Sequence, residues 1–187
     1  MRKHDKDICV RCGEGIVNLR VGAIILKENK VLMVKNTRED YYYSVGGRIQ
    51  FGETAEQAIK REVKEELGCE MEVDRLGFLC EAYFYGSVGD DQERLIYEPA
   101  FYFYMRVPYG FDLPGHTFLE DGTPEYLEWV PLDTDKVVYP EFFKTELRHP
   151  VRETRHIVAD ERPIQPDRPI TAPAPPSPAA ARKGMVV

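Results

Sequence analysis

Most apolar positions along the chain fall in runs of β-branched and aromatic residues that are separated by polar turns. Such runs, bounded by Gly, Pro, Asn or Asp, are typical of strands. The predicted strands cover residues 21–26, 31–34, 41–45, 71–85, 95–107 and 125–130. The pattern therefore predicts a chain in which strands outweigh helices.

The clearest helical periodicity lies at residues 55–67, where apolar side chains recur on one face. Thr54, followed three positions later by Gln57, matches a capping box and predicts the start of the helix. Gly68 can adopt the left-handed conformation that commonly ends a helix. Both ends of this helix are thus predicted from local residues.

A second helix is expected at residues 140–148, with Phe142, Phe143 and Leu147 on its core side. One helix inside a run of strands and another near the end favour an α+β fold. We expect an α/β/α sandwich in which a mixed β-sheet is packed between helices.

The composition is that of an ordinary soluble protein. Of the 187 residues, 43% are apolar and 30% are charged, which is enough to form a packed core. The formal net charge of −7 argues against a broad basic face that would bind extended nucleic acid. No apolar run approaches the roughly 18 residues of a membrane span. With no signal peptide evident and only four cysteines, a reducing cytoplasm is expected.

A change in composition near residue 162 suggests three segments. Residues 1–17 form an N-terminal segment with a Cys-x-x-Cys motif, residues 18–162 the folded domain, and residues 163–187 a Pro/Ala-rich tail. The tail is expected to be flexible; the alternative is an adaptor arm for a polyproline-binding partner. Cys9 and Cys12 have the spacing of half a zinc site, but no second pair follows nearby, which favours two reduced thiols.

Three carboxylates are crowded on one flank of the predicted helix, beside its apolar stripe. Glu62, Glu65 and Glu66 repel one another at i,i+3 and i,i+4 spacing, near the negative end of the helix dipole. Lys60 and Lys64 mark the solvent side, so the glutamates do not simply face water. Hard divalent cations such as Mg²⁺ or Mn²⁺ would explain the crowding, because they take oxygen ligands. The alternative is a solvated acidic face.

The segment from Gly47 to Cys69 resembles the Nudix box, a motif of the Nudix hydrolase family. Val45 departs from the pattern, since many members have Pro before the two glycines. The wider resemblance covers roughly residues 18–148 and implies a mixed sheet between helices. The fixed positions of the motif are filled by Gly47, Glu53, Arg61, Glu62, Glu65, Glu66 and Gly68.

The resemblance assigns roles to these residues. Glu62, Glu65 and Glu66 would be ligands of Mg²⁺ or Mn²⁺, with Glu62 also near the attacking water, and Gly47 would offer its backbone carbonyl to a metal. Glu53 and Arg61 would form the ion pair that joins the loop to the helix.

The resemblance also implies hydrolysis of a diphosphate linkage in a nucleoside diphosphate derivative, for example ADP-ribose, a nucleotide sugar or a dinucleoside polyphosphate. The alternative is a non-catalytic module that senses such a compound. Members of the family often pair as homodimers.

Further residues are candidates for the periphery of the site. A loop acid often completes the metal site in this family, and either Glu120 or Asp121 could fill that place. Arg38, Arg48 and Tyr43 are candidates for substrate binding, because arginines attract phosphates and tyrosines stack on nucleobases.

Overall fold

The computed structural model describes residues 6–37, 40–86, 93–113, 117–118 and 124–162. Arg38, Glu120, Asp121 and the tail at residues 163–187 lie outside these ranges. Within them the chain forms, in order, β1 (Cys9–Cys12), β2 (Gly15–Asn18), β3 (Arg20–Ile24), β4 (Leu26–Lys27), β5 (Lys30–Asn36), β6 (Tyr42–Ser44), β7 (Gly46–Arg48), α1 (Ala55–Leu67), β8 (Glu72–Tyr85), β9 (Leu95–Arg106), β10 (Thr117–Phe118), β11 (Pro124–Pro131), β12 (Val138–Tyr139), α2 (Phe143–Glu146) and β13 (Arg155–Asp160).

A seven-stranded mixed sheet is built around β9. The antiparallel partner of β9 on one side is β8, and β13 pairs with β8 in parallel. On its other side β9 pairs in parallel with β2 and β3, which lead outward to β1 and β7. A six-stranded sheet has the order β10-β11-β5-β6-β12, with β4 on β5.

Both sheets contribute side chains to two hydrophobic cores. One core packs against α1, and the other contains the residues of the second helix. Because side chains alternate along a strand, Val21 and Ala23 of β3 face α1, and Ile24 faces the other way. On α1 the buried side chains are Ala58, Ile59, Val63 and Leu67. The opposite core contains Phe143 and Leu147 at the second helix. The fold is therefore α+β, with mixed sheets between helices, as predicted.

The ends of α1 follow the sequence prediction. The Thr54 Oγ1 atom accepts a hydrogen bond from the Gln57 amide at 3.2 Å, and Gln57 Oε1 accepts one from the Thr54 amide at 2.8 Å. At the other end Gly68 is left-handed with φ 68°, and its amide donates to the Lys64 carbonyl. The capping box and the C-terminal glycine are confirmed.

Other elements differ from the expectation. The predicted helix at residues 140–148 is only one turn long, Phe143–Glu146, and it has no side-chain cap. Strand β13 is absent from the predicted strands, and the β1–β2 hairpin extends the sheet from within the N-terminal segment. Cys9 and Cys12 are free thiols at the two ends of β1. No helix in the described ranges is long and apolar enough to cross a membrane.

The core on the side of α2 predicts a strong dependence of stability on Phe143. Its side chain is 1% exposed, whereas Phe51 is 84% exposed. We expect Phe143→Ala to lower the free energy of unfolding by about 3–5 kcal/mol, because it removes a ring and leaves a cavity. Phe51→Ala is the matched control and should change it by less than about 0.5 kcal/mol. Urea unfolding measures both, and equal losses would contradict the assignment of this core.

Candidate active site

The turn that enters the site brings Gly47 against the carboxylate of Glu62. A Cβ atom added at Gly47 would lie 2.4 Å from Glu62 Oε1 and 2.5 Å from its Cδ. These separations are shorter than real Cβ contacts allow, so a larger residue at this position would push the Glu62 carboxylate aside. The close approach places the backbone of β7 next to the acidic flank of α1.

An ion pair fastens the loop before α1 to the helix. The Arg61 guanidinium donates from Nη2 to Glu53 Oε1 at 2.6 Å and from Nε to Glu53 Oε2 at 3.1 Å. It also donates to the Arg48 carbonyl at 3.0 Å, and the Gln50 amide donates to Glu53 Oε1 at 2.8 Å. Burial opposes the charge of Glu53, but its bonds with Arg61 and Gln50 lower its pKa overall. The predicted pair is present in two-pronged geometry.

The same guanidinium contacts two of the crowded carboxylates. Arg61 Nη1 donates to Glu62 Oε1 at 2.6 Å and lies 3.7 Å from Glu65 Oε2. These contacts raise the pKa of Arg61, with the hydrogen bond to Glu53 as the largest cause. Arg61 thus supplies a fixed positive charge to both sides of the loop–helix junction.

Glu66 lies in the most enclosed environment of the three. Its Oε1 atom accepts a hydrogen bond from the Gly46 amide at 3.2 Å. Burial raises its pKa to about 8, against the effect of that hydrogen bond, and the negative charges of Glu62 and Glu125 add to the rise. Burial also raises the pKa of Glu62, although Arg61 opposes the rise. The site therefore gathers carboxylates in a partly buried place, and the charges of Arg61 and Arg20 do not fully offset the rise in the pKa values of Glu62 and Glu66.

A fourth acid, Glu125, joins the three at the start of β11 and was not among the sequence candidates. It is 8% exposed, and the Tyr43 hydroxyl donates a hydrogen bond to its Oε1 atom. Burial first, and then Glu125, raise the pKa of Tyr43. A signal was available in the sequence, because Glu125 shares its strand face with the core residue Leu127.

The two arginines of the adjoining strands lie on the other face of the sheet. Arg48 pairs with Arg20, and Gly47 with Val21, so both arginine side chains point away from the face of Gly47. Arg48 Nε donates to Asn18 Oδ1 at 3.0 Å. The pKa of Arg20 is raised because Glu98 and other negative groups, including Glu66 and Glu62, outweigh the effect of burial. Arg48 therefore contributes its carbonyl, rather than its side chain, to the contacts of Arg61.

The described residues contain no group of three or more His, Cys, Asp or Glu side chains already arranged to hold a metal ion. The reason is visible in the contacts, since Arg61 holds Glu62 and Glu65 while Glu66 is turned to the Gly46 amide. The donor set nevertheless suits a hard dication, because it consists of carboxylates whose pKa values are raised first by burial and then by neighbouring negative charge. Side-chain rotation would be needed to bring these oxygens together.

Comparison with known proteins agrees with this arrangement. The sequence profile of the NUDIX domain matches residues 17–145, well over half of the chain. The chain belongs to the NUDIX domain family. Among curated proteins, this NUDIX chain is 41% identical over 51 residues to an ADP-ribose pyrophosphatase of Methanocaldococcus jannaschii. That match covers 26% of the chain and 30% of the relative.

A solved structure shows the same fold. The mutator MutT protein from Bacillus halodurans superposes on this NUDIX chain with a TM-score of 0.52 at 18% identity, covering 74% of the chain and 89% of the MutT protein. An ADP-ribose pyrophosphatase from Streptococcus suis gives a TM-score of 0.48 at 15% identity, covering 75% and 98% respectively. The first of these likenesses supports the fold of the NUDIX domain.

The junction between loop and helix predicts a local response to Arg61→Lys. Lysine keeps the charge but cannot make the two-pronged bond to Glu53, so the Gln50 amide loses its well-placed acceptor. We expect hydrogen exchange at residues 50–53 to quicken about tenfold or more, the scale of losing one charged hydrogen bond. Peptide-level mass spectrometry measures it. Arg106→Lys, at an exposed arginine that contacts Asp74 at 3.2 Å, is the control and should leave these amides unchanged.

Proposed function

We propose that this chain is a divalent-metal-dependent hydrolase that cleaves the diphosphate linkage of a nucleoside diphosphate derivative. The observation that carries the proposal is the packing of Glu62 against Gly47, with Arg61 holding Glu62 to the loop through Glu53. Such an arrangement costs stability, because like charges are crowded and partly buried. Bound cations would offset the repulsion between these carboxylates, which gives the crowded arrangement a function.

Glu62, Glu65, Glu66 and the Gly47 carbonyl are the proposed ligands of Mg²⁺ or Mn²⁺. Glu125 is the proposed additional acid, since it is buried and its charge acts on Glu66. Tyr43 then has a positioning role, because its hydroxyl holds the Glu125 carboxylate. Glu120 and Asp121 stay alternatives for the additional acid from the sequence alone.

The charges of the site fit a diphosphate. When bound, the metal neutralises the phosphate oxygens and lowers the pKa of a coordinated water. Glu62 accepts the proton of the attacking water, and Arg61 holds Glu62 and Glu65 in place. Arg48 and Arg20 lie side by side on the opposite sheet face, where a part of the substrate that extends beyond the carboxylates could meet them. Arg38 is a further candidate for this contact.

The substrate class rests on the relative that shares sequence with the chain. The Methanocaldococcus jannaschii protein is named for ADP-ribose, which makes this compound the first to test. The aligned part spans about a third of that relative. Recognition of the group beyond the diphosphate depends on the residues that line the pocket outside the Nudix box. Nucleotide sugars and dinucleoside polyphosphates carry the same linkage and belong in the same screen.

The decisive experiment is Glu62→Gln, which keeps the shape of the side chain and removes its charge and basicity. We expect product release from ADP-ribose or a related diphosphate, with Mg²⁺ or Mn²⁺, to fall by about 10²–10⁴-fold. Glu56→Gln, at an exposed glutamate in the first turn of the same helix, is the control and should keep wild-type activity. Retained turnover in the Glu62 variant would refute the assignment. Binding without turnover in the wild-type chain would favour the sensing module instead.

The role of Glu125 has a test that does not depend on turnover. Mn²⁺ or Mg²⁺ should raise the melting temperature of the wild-type chain, because a ligand that binds only the folded state stabilises it. Glu125→Gln should weaken metal affinity roughly tenfold to hundredfold, as expected for a ligand or its close partner. Glu128→Gln is the control on the same strand, where the carboxylate accepts a bond from Tyr42 instead. Equal metal responses in both variants would exclude Glu125 from the site.

A further inference from the structure

Residues 6–8 run antiparallel to residues 49–51, which lead from β7 toward the loop before α1. The Phe51 amide donates a hydrogen bond to the Lys6 carbonyl at 2.7 Å. Residues 6–8 precede the stretch 17–145 that matches the NUDIX profile. Their contacts with the motif therefore come from a part of the chain that the profile does not cover.

A ring of three backbone hydrogen bonds joins this segment to the sheet. The Ile8 amide donates to the Ile49 carbonyl at 2.8 Å, the Ile49 amide to the Leu19 carbonyl at 2.9 Å, and the Leu19 amide to the Ile8 carbonyl at 3.0 Å. Ile49 is 3% exposed, and Ile8 and Leu19 pack against the core that contains α1. Hydrogen bonds shielded from water in this way are stronger than exposed ones, so the three pieces of chain hold one another in place.

The backbone groups of residues 46–51 alternate between two sets of partners, as they do along any strand. Ile49 and Phe51 pair toward the sheet and residues 6–8. The even-numbered residues face the opposite edge, where each contacts an ionisable side chain of the site: the Gly46 amide and Glu66, the Arg48 carbonyl and Arg61, the Gln50 amide and Glu53. One stretch of backbone therefore connects residues 6–8 to the acidic site.

Asp7 adds a side-chain contact to the same stretch. Its side chain is 10% exposed, and its Oδ2 atom lies 3.8 Å from Arg48 Nη1. Arg48 Nε also donates to Asn18 Oδ1 at 3.0 Å, so the Arg48 side chain is held from two sides. The carbonyl of the same residue accepts the hydrogen bond from Arg61 at 3.0 Å. Asp7 thus acts on the residue to which Arg61 is bonded.

We propose that residues 6–8 are a working part of the active site, with Asp7 as a positioning residue. They hold residues 48–51 in the register that the ion pair of Glu53 and Arg61 requires. The proposal rests on the proposed function, because it assigns the segment a role in placing the carboxylates. Its effect reaches Glu62 through Arg61, so it should appear in kcat rather than in KM.

Hydrogen exchange of the Gln50 amide tests this link in the full chain, because that amide is bonded to Glu53. Ile8→Pro removes one donor of the ring of hydrogen bonds. We expect exchange at Gln50 to quicken at least tenfold, as measured by mass spectrometry with fragmentation to single residues. Arg11→Pro is the matched control, since it places the same residue at an exposed position of β1. It should leave the Gln50 amide unchanged.

Asp7→Asn tests the side chain, because it keeps the shape and removes the charge. We expect exchange at Gln50 to quicken about fivefold, the upper end for an ion pair that is not fully buried. With ADP-ribose or a related diphosphate and Mn²⁺, kcat should fall about threefold to tenfold at unchanged KM, and Asp7→Glu should restore part of the loss. Glu14→Gln, at an exposed acid between β1 and β2, is the control and should match the wild type.

The two measurements separate this proposal from the proposed function. If the wild-type chain cleaves no diphosphate compound, the proposed function fails, and exchange at Gln50 still decides the role of residues 6–8. If Ile8→Pro loses the protection of β8 and β9, it has unfolded, and Asp7→Asn decides alone. Unchanged exchange at Gln50 in a folded variant, equal quickening in Arg11→Pro, or a loss confined to KM in Asp7→Asn would each overturn the proposal.

Discussion

The site depends on one ion pair, between Arg61 of α1 and Glu53 of the preceding loop. Its two hydrogen bonds fix the loop against the helix, and the remaining donors of Arg61 reach Glu62 and the Arg48 carbonyl. This clamp acts together with the pairing of β7 with β3 to hold the backbone at Gly47 within contact distance of the Glu62 carboxylate.

The cost of the arrangement falls on the acids and is offset by the helix core. Burial raises the pKa of Glu66 to about 8, which means that its charged form is disfavoured by the fold itself. Ala58, Ile59, Val63 and Leu67 anchor the opposite stripe of α1 in the core. Strong packing on one flank therefore allows unfavourable charge on the other, as is common where function and stability compete.

Features set by neighbouring residues could be predicted from the sequence, and those set by pairing across the fold could not. The ends of α1 depend on Thr54, Gln57 and Gly68, all local, and they were predicted correctly. Glu125 was missed because its burial arises from Tyr43 of another strand. Strand β13 was missed because its polar composition gives no alternating pattern, and its place depends on β8.

The order of the strands separates the carboxylates from the last strand of the chain's sheet. The carboxylates lie beside β7 and β3, on one side of β9, whereas β13 lies beyond β8 on the other side. Strand β13 therefore extends the sheet away from Gly47 and Glu62. One margin of the sheet thus brings backbone against acidic side chains, and the other is built from the last strand of the described chain. A change at β13 therefore reaches the carboxylates only through β8 and β9, which lie between them.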